Sequence, residues 1–437
     1  MKSLIFVFAF LTFNISSSQS KTDDLKRRAD VKAKMKFNAP SILITSVPTT
    51  STEYKNGLRD NDLIIKIDNN NITTNDQYLK LIRGLRSNRK YTFLVNRNGY
   101  IKTIELTFQP KQKEVVKELD IDYQSFITNY GYKIRTVVTK PKSPRTTKKL
   151  PAILFVQWLS CSSVESRGSN HGFSNLIWEL SKSGYLVQRT EKFGVGDSEG
   201  PDCSELDFTT EVNIHREALE QLKLRDDIDL ENIIILGGSM GSNIAAILAS
   251  ENKDLKALIF AGGYYKSWHE RLLDFERRRM EYSNEKPEEV YSKMKLYSEF
   301  YAMCFSEKLK PSEILKKKPH LLPVWPSESN LQYGRPIEFY WQVNDTNMGK
   351  VWSAVSQPIL ALYGEYDWVM DKEDSQRIIE KSSNPNSKLI TLTKTDHNLY
   401  FYRDSASAKE GFNNRSTIPN KDIPAQIIHW LDELMLQ

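Results

Sequence analysis

The chain has 437 residues, 39% of them hydrophobic and 27% charged, which is enough for two domains and a sizeable core. Its 61 basic and 55 acidic residues leave a formal net charge of +6, spread along the chain. That mild excess reads as a solvated surface and argues against nucleic acid or a lipid surface as partner.

The first twenty residues, MKSLIFVFAFLTFNISSSQS, place Lys2 before an apolar run from Leu4 to Phe13, and small polar residues follow. This is the three-part pattern of a secretory signal peptide, and the run is too short to span a bilayer. No later segment approaches the roughly 20 apolar residues of a membrane helix. The expectation is an exported protein, periplasmic or extracellular, with no integral membrane segment after cleavage. There are three cysteines, Cys161, Cys203 and Cys304, so at most one internal pair can form. Export would allow that pair, and the spacing fits no zinc site.

Residues 21–36 are charged and lack apolar periodicity, so they read as a linker or frayed helix. From Ser41 the pattern becomes strand, strand, helix and hairpin. SILITSV alternates like a strand, and a short apolar strand lies in DLIIKI. Tyr78, Leu81, Ile82 and Leu85 recur at helical spacing. YTFLVNRNGYIKTIELTF folds back at Asn98-Gly99, a strong hairpin signal. Asn56-Gly57-Leu58, Asp60-Asn61-Asp62-Leu63-Ile64-Ile65-Lys66-Ile67 and Val95-Asn96-Arg97-Asn98-Gly99 make residues 37–111 resemble a PDZ domain of the bacterial protease type. The resemblance implies a small α+β unit that captures a peptide ligand by adding a strand to a sheet edge. A purely structural or dimerising unit is the alternative.

A second region, 119–437, follows a charged connector. YQSFIT and IRTVVTK read as a hairpin, and LPAILFVQ as a strand buried on both faces. Helices and strands then alternate: helix 173–183, strand 185–191, helix 211–224, strand 232–236, helix 242–250 and strand 255–263. After an interruption come strand 358–365, helix 371–382, strand 387–393 and a last helix at 422–436. Alternation of this kind implies a mostly parallel sheet with helices on both faces. The interruption, about 265–350, is rich in charge and aromatics and reads as a helical cap over the sheet's carboxyl edge.

The stretch Ile233–Ser242, IIILGGSMGS, ends a strand on G-x-S-x-G and opens a helix. Glycines at Gly237 and Gly241 suit a sharp turn whose apex, Ser239, projects its hydroxyl past the helix N-terminus. A serine nucleophile needs a base. Of the six histidines, His215 and His429 fall inside helices, His171 precedes one and could cap it, and His269 and His320 fall in the cap. His397, in KTDHNLY, directly follows a late strand. A base needs an orienting carboxylate, and Asp367 sits just beyond the strand PILALYGE, with Glu365 and Asp396 as competitors.

The chain order Ser, Asp, His on this pattern resembles the α/β-hydrolase family. The residues that carry it are Gly237-Gly238-Ser239-Met240-Gly241, Leu362-Tyr363-Gly364-Glu365-Tyr366-Asp367 and Phe193-Gly194-Val195-Gly196-Asp197-Ser198-Glu199-Gly200. The resemblance implies Ser239 as nucleophile, His397 as base and Asp367 as its acid, the last preferred for its position after the seventh strand. It also implies an oxyanion hole from the backbone N–H groups of Met240 and of Leu159, after the strand LPAILFVQ. Cys161 and Cys203 then fall on neighbouring loops at one sheet edge, where a disulfide between them would fix the oxyanion loop. The expected activity is that of a serine hydrolase, an esterase or thioesterase working through an acyl-enzyme, with no cofactor or metal. A peptidase served by the PDZ-like unit, or a non-catalytic binding module, are the other readings.

Overall fold

The computed structural model of the protein describes residues 24–143, 149–326, 329–412, 416 and 418–436. The expected signal peptide lies outside these residues. In the N-terminal part, alternating side chains build a six-stranded antiparallel sheet. It comprises β1 (Lys34–Asn38), β2 (Ser41–Ser46), helix α1 (Thr52–Lys55), β3 (Leu63–Ile67), the short β4 (Asn70–Asn71), helix α2 (Asn75–Gly84), β5 (Lys90–Arg97) and β6 (Tyr100–Thr107). Ile42, Ile44, Ile64, Phe93, Val95 and Leu106 fill its core. Asn98 and Gly99 both take positive φ, 53° and 87°, and join β5 to β6 as the hairpin signal required.

Residues 21–36, expected as a linker, are instead part of this unit where they are described. Leu25 is buried, Arg28 bridges to Arg86 and Ala29 to Pro110, and a strand begins at Lys34. The charges that suggested a solvated segment are used in ion pairs across a seam. Arg27 meets Glu165 and Asp197, and Arg28 meets Glu165. β1 itself is an edge strand whose lysines face water, which hides its alternation in the sequence. Helix α2 faces the same seam, where Arg83 grips Asp202 through two hydrogen bonds of 2.6 and 3.0 Å.

The larger part alternates as its apolar runs predicted. Its elements run β7 (Leu119–Ile127), β8 (Lys133–Pro141), β9 (Leu150–Val156), α3 (Gly172–Lys182), β10 (Leu186–Thr190), α4 (Phe208–Lys223), β11 (Ile228–Gly238), α5 (Met240–Glu251) and β12 (Ala257–Ala261). The interruption forms α6 (Trp268–Tyr282), α7 (Pro287–Phe305), α8 (Pro311–Lys317), the two-residue strands β13 (Leu331–Gln332) and β14 (Arg335–Pro336), α9 (Ile337–Asp345) and α10 (Met348–Ser353). The chain returns as β15 (Ile359–Gly364), α11 (Lys372–Lys381), β16 (Lys388–Leu392), α12 (Ser405–Glu410) and α13 (Ile423–Met435).

The sheet has eight strands in the order β16-β15-β12-β11-β9-β10-β8-β7. The six strands from β16 to β10 are parallel, and β8 runs antiparallel to both its neighbours, β10 and β7. Alternate side chains of one strand serve opposite faces. Leu154 and Ile235 pack with α4 and α5, while Phe155 and Leu236 pack with α3 and α13. The chain leaves β9 for β10 on one side and returns to β11 on the other. The strand order therefore reverses beside the carboxyl ends of β9 and β11, where open α/β sheets form their binding crevice.

Two features hold the loop after β9. A disulfide joins Cys161 to Cys203, and Cys304 is free and buried. Glu191, at the end of β10 and fully buried, accepts hydrogen bonds from the Ser163 hydroxyl and the Val164 N–H. Burial pushes its carboxyl up to about 7, with the Ser163 hydrogen bond opposing.

Titrating unreduced, denatured protein should therefore reveal one thiol; three would remove the disulfide. Glu191 binds its proton more tightly folded than unfolded. The stability this contributes is complete below the unfolded pKa of 4.5 and is lost as pH rises through about 7. Glu191→Gln, whose amide oxygen can accept the Val164 N–H while its NH2 donates to the Ser163 hydroxyl oxygen, should raise the urea midpoint above wild type at pH 8 and match it near pH 4.5. Parallel midpoint curves for the two proteins across this range would contradict that.

Candidate active site

Strand β11 ends in Gly238, and the next residue, Ser239, turns sharply into α5 with φ 54° and ψ −127°. Its neighbours must be small. A Cβ on Gly237 would lie 2.5 Å from Ser242 Cα, and one on Gly241 would lie 2.2 Å from the Val156 carbonyl oxygen. The Ser239 N–H donates to the Ala261 carbonyl at 2.7 Å, which ties the apex to β12.

His397 comes from the loop after β16. Its Nε2 lies 3.0 Å from Ser239 Oγ, and its Nδ1 lies 2.8 Å from Asp367 Oδ2. Asp367 is held in turn, since its Oδ1 accepts the N–H groups of Val369 and Met370 at 2.8 and 2.9 Å. The structure thus brings Ser239, His397 and Asp367 into one hydrogen-bonded row. The two competing carboxylates have other partners. Glu365 accepts the Lys394 N–H at 2.7 Å. Asp396 accepts the N–H groups of Asn398 and Tyr400 and the Tyr402 hydroxyl. Burial raises the Asp396 carboxyl against those hydrogen bonds.

The remaining histidines form no part of this row. His171 caps α3, its Nδ1 facing the Ser174 N–H at 3.4 Å. His215 is buried in α4 without a hydrogen-bond partner among the described residues, and burial pulls it down to about 4. His320 pairs with Glu299 at 3.0 Å and His429 with Glu433 at 3.4 Å.

Leu159 follows β9 on a loop governed by one buried cation. Lys192 Nζ donates to the carbonyls of Trp158, Leu159 and Ser160 at 2.6, 3.1 and 3.3 Å. In a trans peptide the C=O and N–H point opposite ways, so the N–H of Leu159 points away from Lys192. Among the described residues, neither that N–H nor the N–H of Met240, the first residue of α5, meets an acceptor. Lys192 also pairs with Glu211 at 3.0 Å, and Glu211 pairs with the buried Arg335, which donates to Cys203 Sγ as well. Burial pulls the Lys192 ammonium down to about 8, with Glu211 opposing. Burial works against ionised Glu211, but Arg335 and Lys192 overcome it and hold the carboxyl below its ordinary range.

A cavity of about 230 Å³ opens beside Ser239 and His397, under the cap. Its walls are largely aromatic, with Trp268, Phe275, Trp368 and Phe412 among them, and Arg271 is their basic residue. A second cavity of about 380 Å³ reaches the same serine from the side of Trp158, His171 and Tyr400. Tyr333 lines both. It sits at the β13–β14 turn with φ 50°, where Gly334 follows at φ 76°.

Sequence reasoning missed several of these residues. Lys192 and Arg271 belong to no motif. Tyr333 lies within the interruption, whose packing carries no periodicity. Gly262 left a signal, the Gly-Gly pair after β12. A Cβ there would lie 2.7 Å from His397 Cε1, so the imidazole occupies space that only glycine leaves open.

A profile of the alpha/beta hydrolase fold matches residues 165–404, more than half of the chain. No curated protein sequence matches it. Among solved structures, the alpha/beta hydrolase GrgF from Penicillium sp. sh18 aligns at 15% identity and TM-score 0.45, covering 72% of this chain and 98% of its own. The Pyrococcus furiosus esterase Pf2001 aligns at 15% identity and TM-score 0.44, covering 74% and 96%. Est1E from Butyrivibrio proteoclasticus, solved with ferulic acid bound, aligns at 16% identity and TM-score 0.42, covering 67% and 98%. Through the profile match, with the strand order and the turn after β11 already described, the chain belongs to the alpha/beta hydrolase fold family.

Proposed function

We propose that the protein is an exported serine hydrolase that cleaves a carboxylic ester through an acyl-enzyme. The observation that carries this reading is the row of hydrogen bonds from Ser239 through His397 to Asp367, at 3.0 and 2.8 Å. Ser239 Oγ attacks the carbonyl carbon while its proton passes to His397 Nε2. Asp367 keeps the other ring proton on Nδ1 and stabilises the imidazolium. The carbonyl oxygen takes up negative charge and receives the unpartnered N–H groups of Met240 and Leu159. Collapse expels the alcohol, which takes its proton from His397. Water then attacks the acyl-enzyme, giving its proton to His397, and the acid leaves as Oγ is reprotonated.

The disulfide supports a working place in an oxidising compartment. No helix among the described residues is long and apolar enough to cross a membrane. The N-terminal antiparallel sheet is compatible with the PDZ-like reading, and its helix is already engaged by the hydrolase part through Arg83.

Ser239→Ala should lower turnover of p-nitrophenyl acetate by about 10⁴-fold or more and abolish labelling by a fluorophosphonate, with an unchanged circular dichroism spectrum. Retained turnover would remove Ser239 from the chemistry. Lys192→Met acts on the loop rather than on the reacting atoms. It should lower kcat about 10²-fold, comparable to losing one oxyanion donor, with KM little changed. An unaltered kcat would show that the loop keeps its orientation without the ammonium.

A further inference from the structure

The cavity beside Ser239 contains a charge that no carboxylate among the described residues pairs with. Arg271, on α6, is 5% exposed and is the basic residue among the described residues lining that cavity. Its guanidinium has five N–H donors. Nη2 reaches the Val369 carbonyl at 3.3 Å and Met370 Sδ at 3.9 Å, and Nε has no partner among the described residues. The group lies over the rings of Trp268 and Phe275, at 4.8 and 4.9 Å from their centroids. Those faces attract a cation but return no counter-charge.

The carboxylates on the surrounding elements are engaged elsewhere. Glu276 pairs with Arg279 at 2.8 Å and accepts from Tyr301. Asp371 pairs with Lys266 and Arg278 at 3.1 and 3.3 Å, and Asp374 accepts the Tyr265 N–H. Asp367 holds His397, and Asp396 holds its own loop. A buried cation left without an anion is costly unless something else supplies one. Here the cation faces the space that a substrate would fill.

We propose that Arg271 receives a carboxylate of the substrate, so that the preferred ester carries an anionic end on the part lodged against the aromatic walls. This rests on the hydrolase reading of Ser239 and extends it to a substrate class. The planar fork of a guanidinium matches a carboxylate in two parallel hydrogen bonds. One guanidinium balances a single negative charge, and Asp396 on the same lining disfavours a dianion. Trp268 and Phe275 fix the plane of the fork, and the ligand's apolar body would lie along the other rings.

A binding measurement tests this without turnover. In the Ser239→Ala protein, calorimetry with 3-phenylpropanoate and with its neutral amide should show the anion bound at least about tenfold more tightly. Adding Arg271→Gln should erase that difference, and Arg271→Lys, which keeps the charge but loses the fork, should retain part of it. Equal affinity for acid and amide, or a preference that survives Arg271→Gln, would overturn the proposal. Circular dichroism of the Gln and Lys variants reports folding, and the Lys variant alone decides the matter should the Gln variant unfold.

Turnover by the wild type places the charge. Preference for p-nitrophenyl hemiglutarate over p-nitrophenyl valerate puts it on the acyl part, and preference for 4-acetoxybenzoate over phenyl acetate puts it on the leaving part. In either case the kcat/KM ratio of charged to neutral ester should fall about tenfold or more in Arg271→Gln. No preference in either pair would count against Arg271 as a specificity residue. Absent fluorophosphonate labelling with selective acid binding intact would instead refute the hydrolase reading and leave the carboxylate site standing.

Discussion

The site depends on the backbone of one residue. Ser239 is held in a region of φ and ψ that costs a side-chain-bearing residue on the order of 1–3 kcal/mol. The surroundings leave it no relaxed alternative. Its N–H is bound to β12, and the Ser242 hydroxyl reaches the carbonyls of Gly237 and Ala261, both at 3.2 Å. Gly241 meanwhile lets α5 press against the end of β9. Three parallel strands thus determine where the hydroxyl stands. The imidazole arrives from a fourth, β16, and its acid from a fifth, β15.

The loop after β9 is fixed by different means. A run of three successive carbonyls converging on one ammonium leaves little freedom to the intervening amides. The charges behind it alternate, with Glu211 between Lys192 and Arg335, so each buried ion has an opposite neighbour. The disulfide closes the far side of the same loop. Noncovalent and covalent restraints therefore act on adjacent peptides. Arg271, a few elements away, has no such arrangement, and the contrast within one molecule gives its isolation weight.

Much of the larger unit was legible in the sequence because buried parallel strands read as apolar runs and the helices between them keep their period. The β11 turn and the late His397 followed from the same logic, since both sit where a strand ends. Residues that act through three-dimensional convergence left no local trace. Lys192 is an ordinary lysine until three carbonyls surround it. Residues 402–412, which contribute Tyr402 and Phe412 to the cavity, follow the last strand in a polar stretch that reads as connection. β1 was hidden because an edge strand with outward lysines resembles a solvated tether.

The seam between the two units has a consequence for how the protein can be divided. Glu165 and Asp197 have side chains only 2% and 0% accessible, and Arg27 and Arg28 cover them from the amino-terminal unit. Asp197 retains Arg135, at 3.2 Å, if that cover is removed, whereas Glu165 has no second cation within the larger unit among the described residues. Severing the chain before β7 would therefore strip a desolvated anion of both its counter-ions, a few residues from the disulfide. The residues before β1 thus complete the charge balance of the larger unit, and a chain cut at the charged connector would lose it.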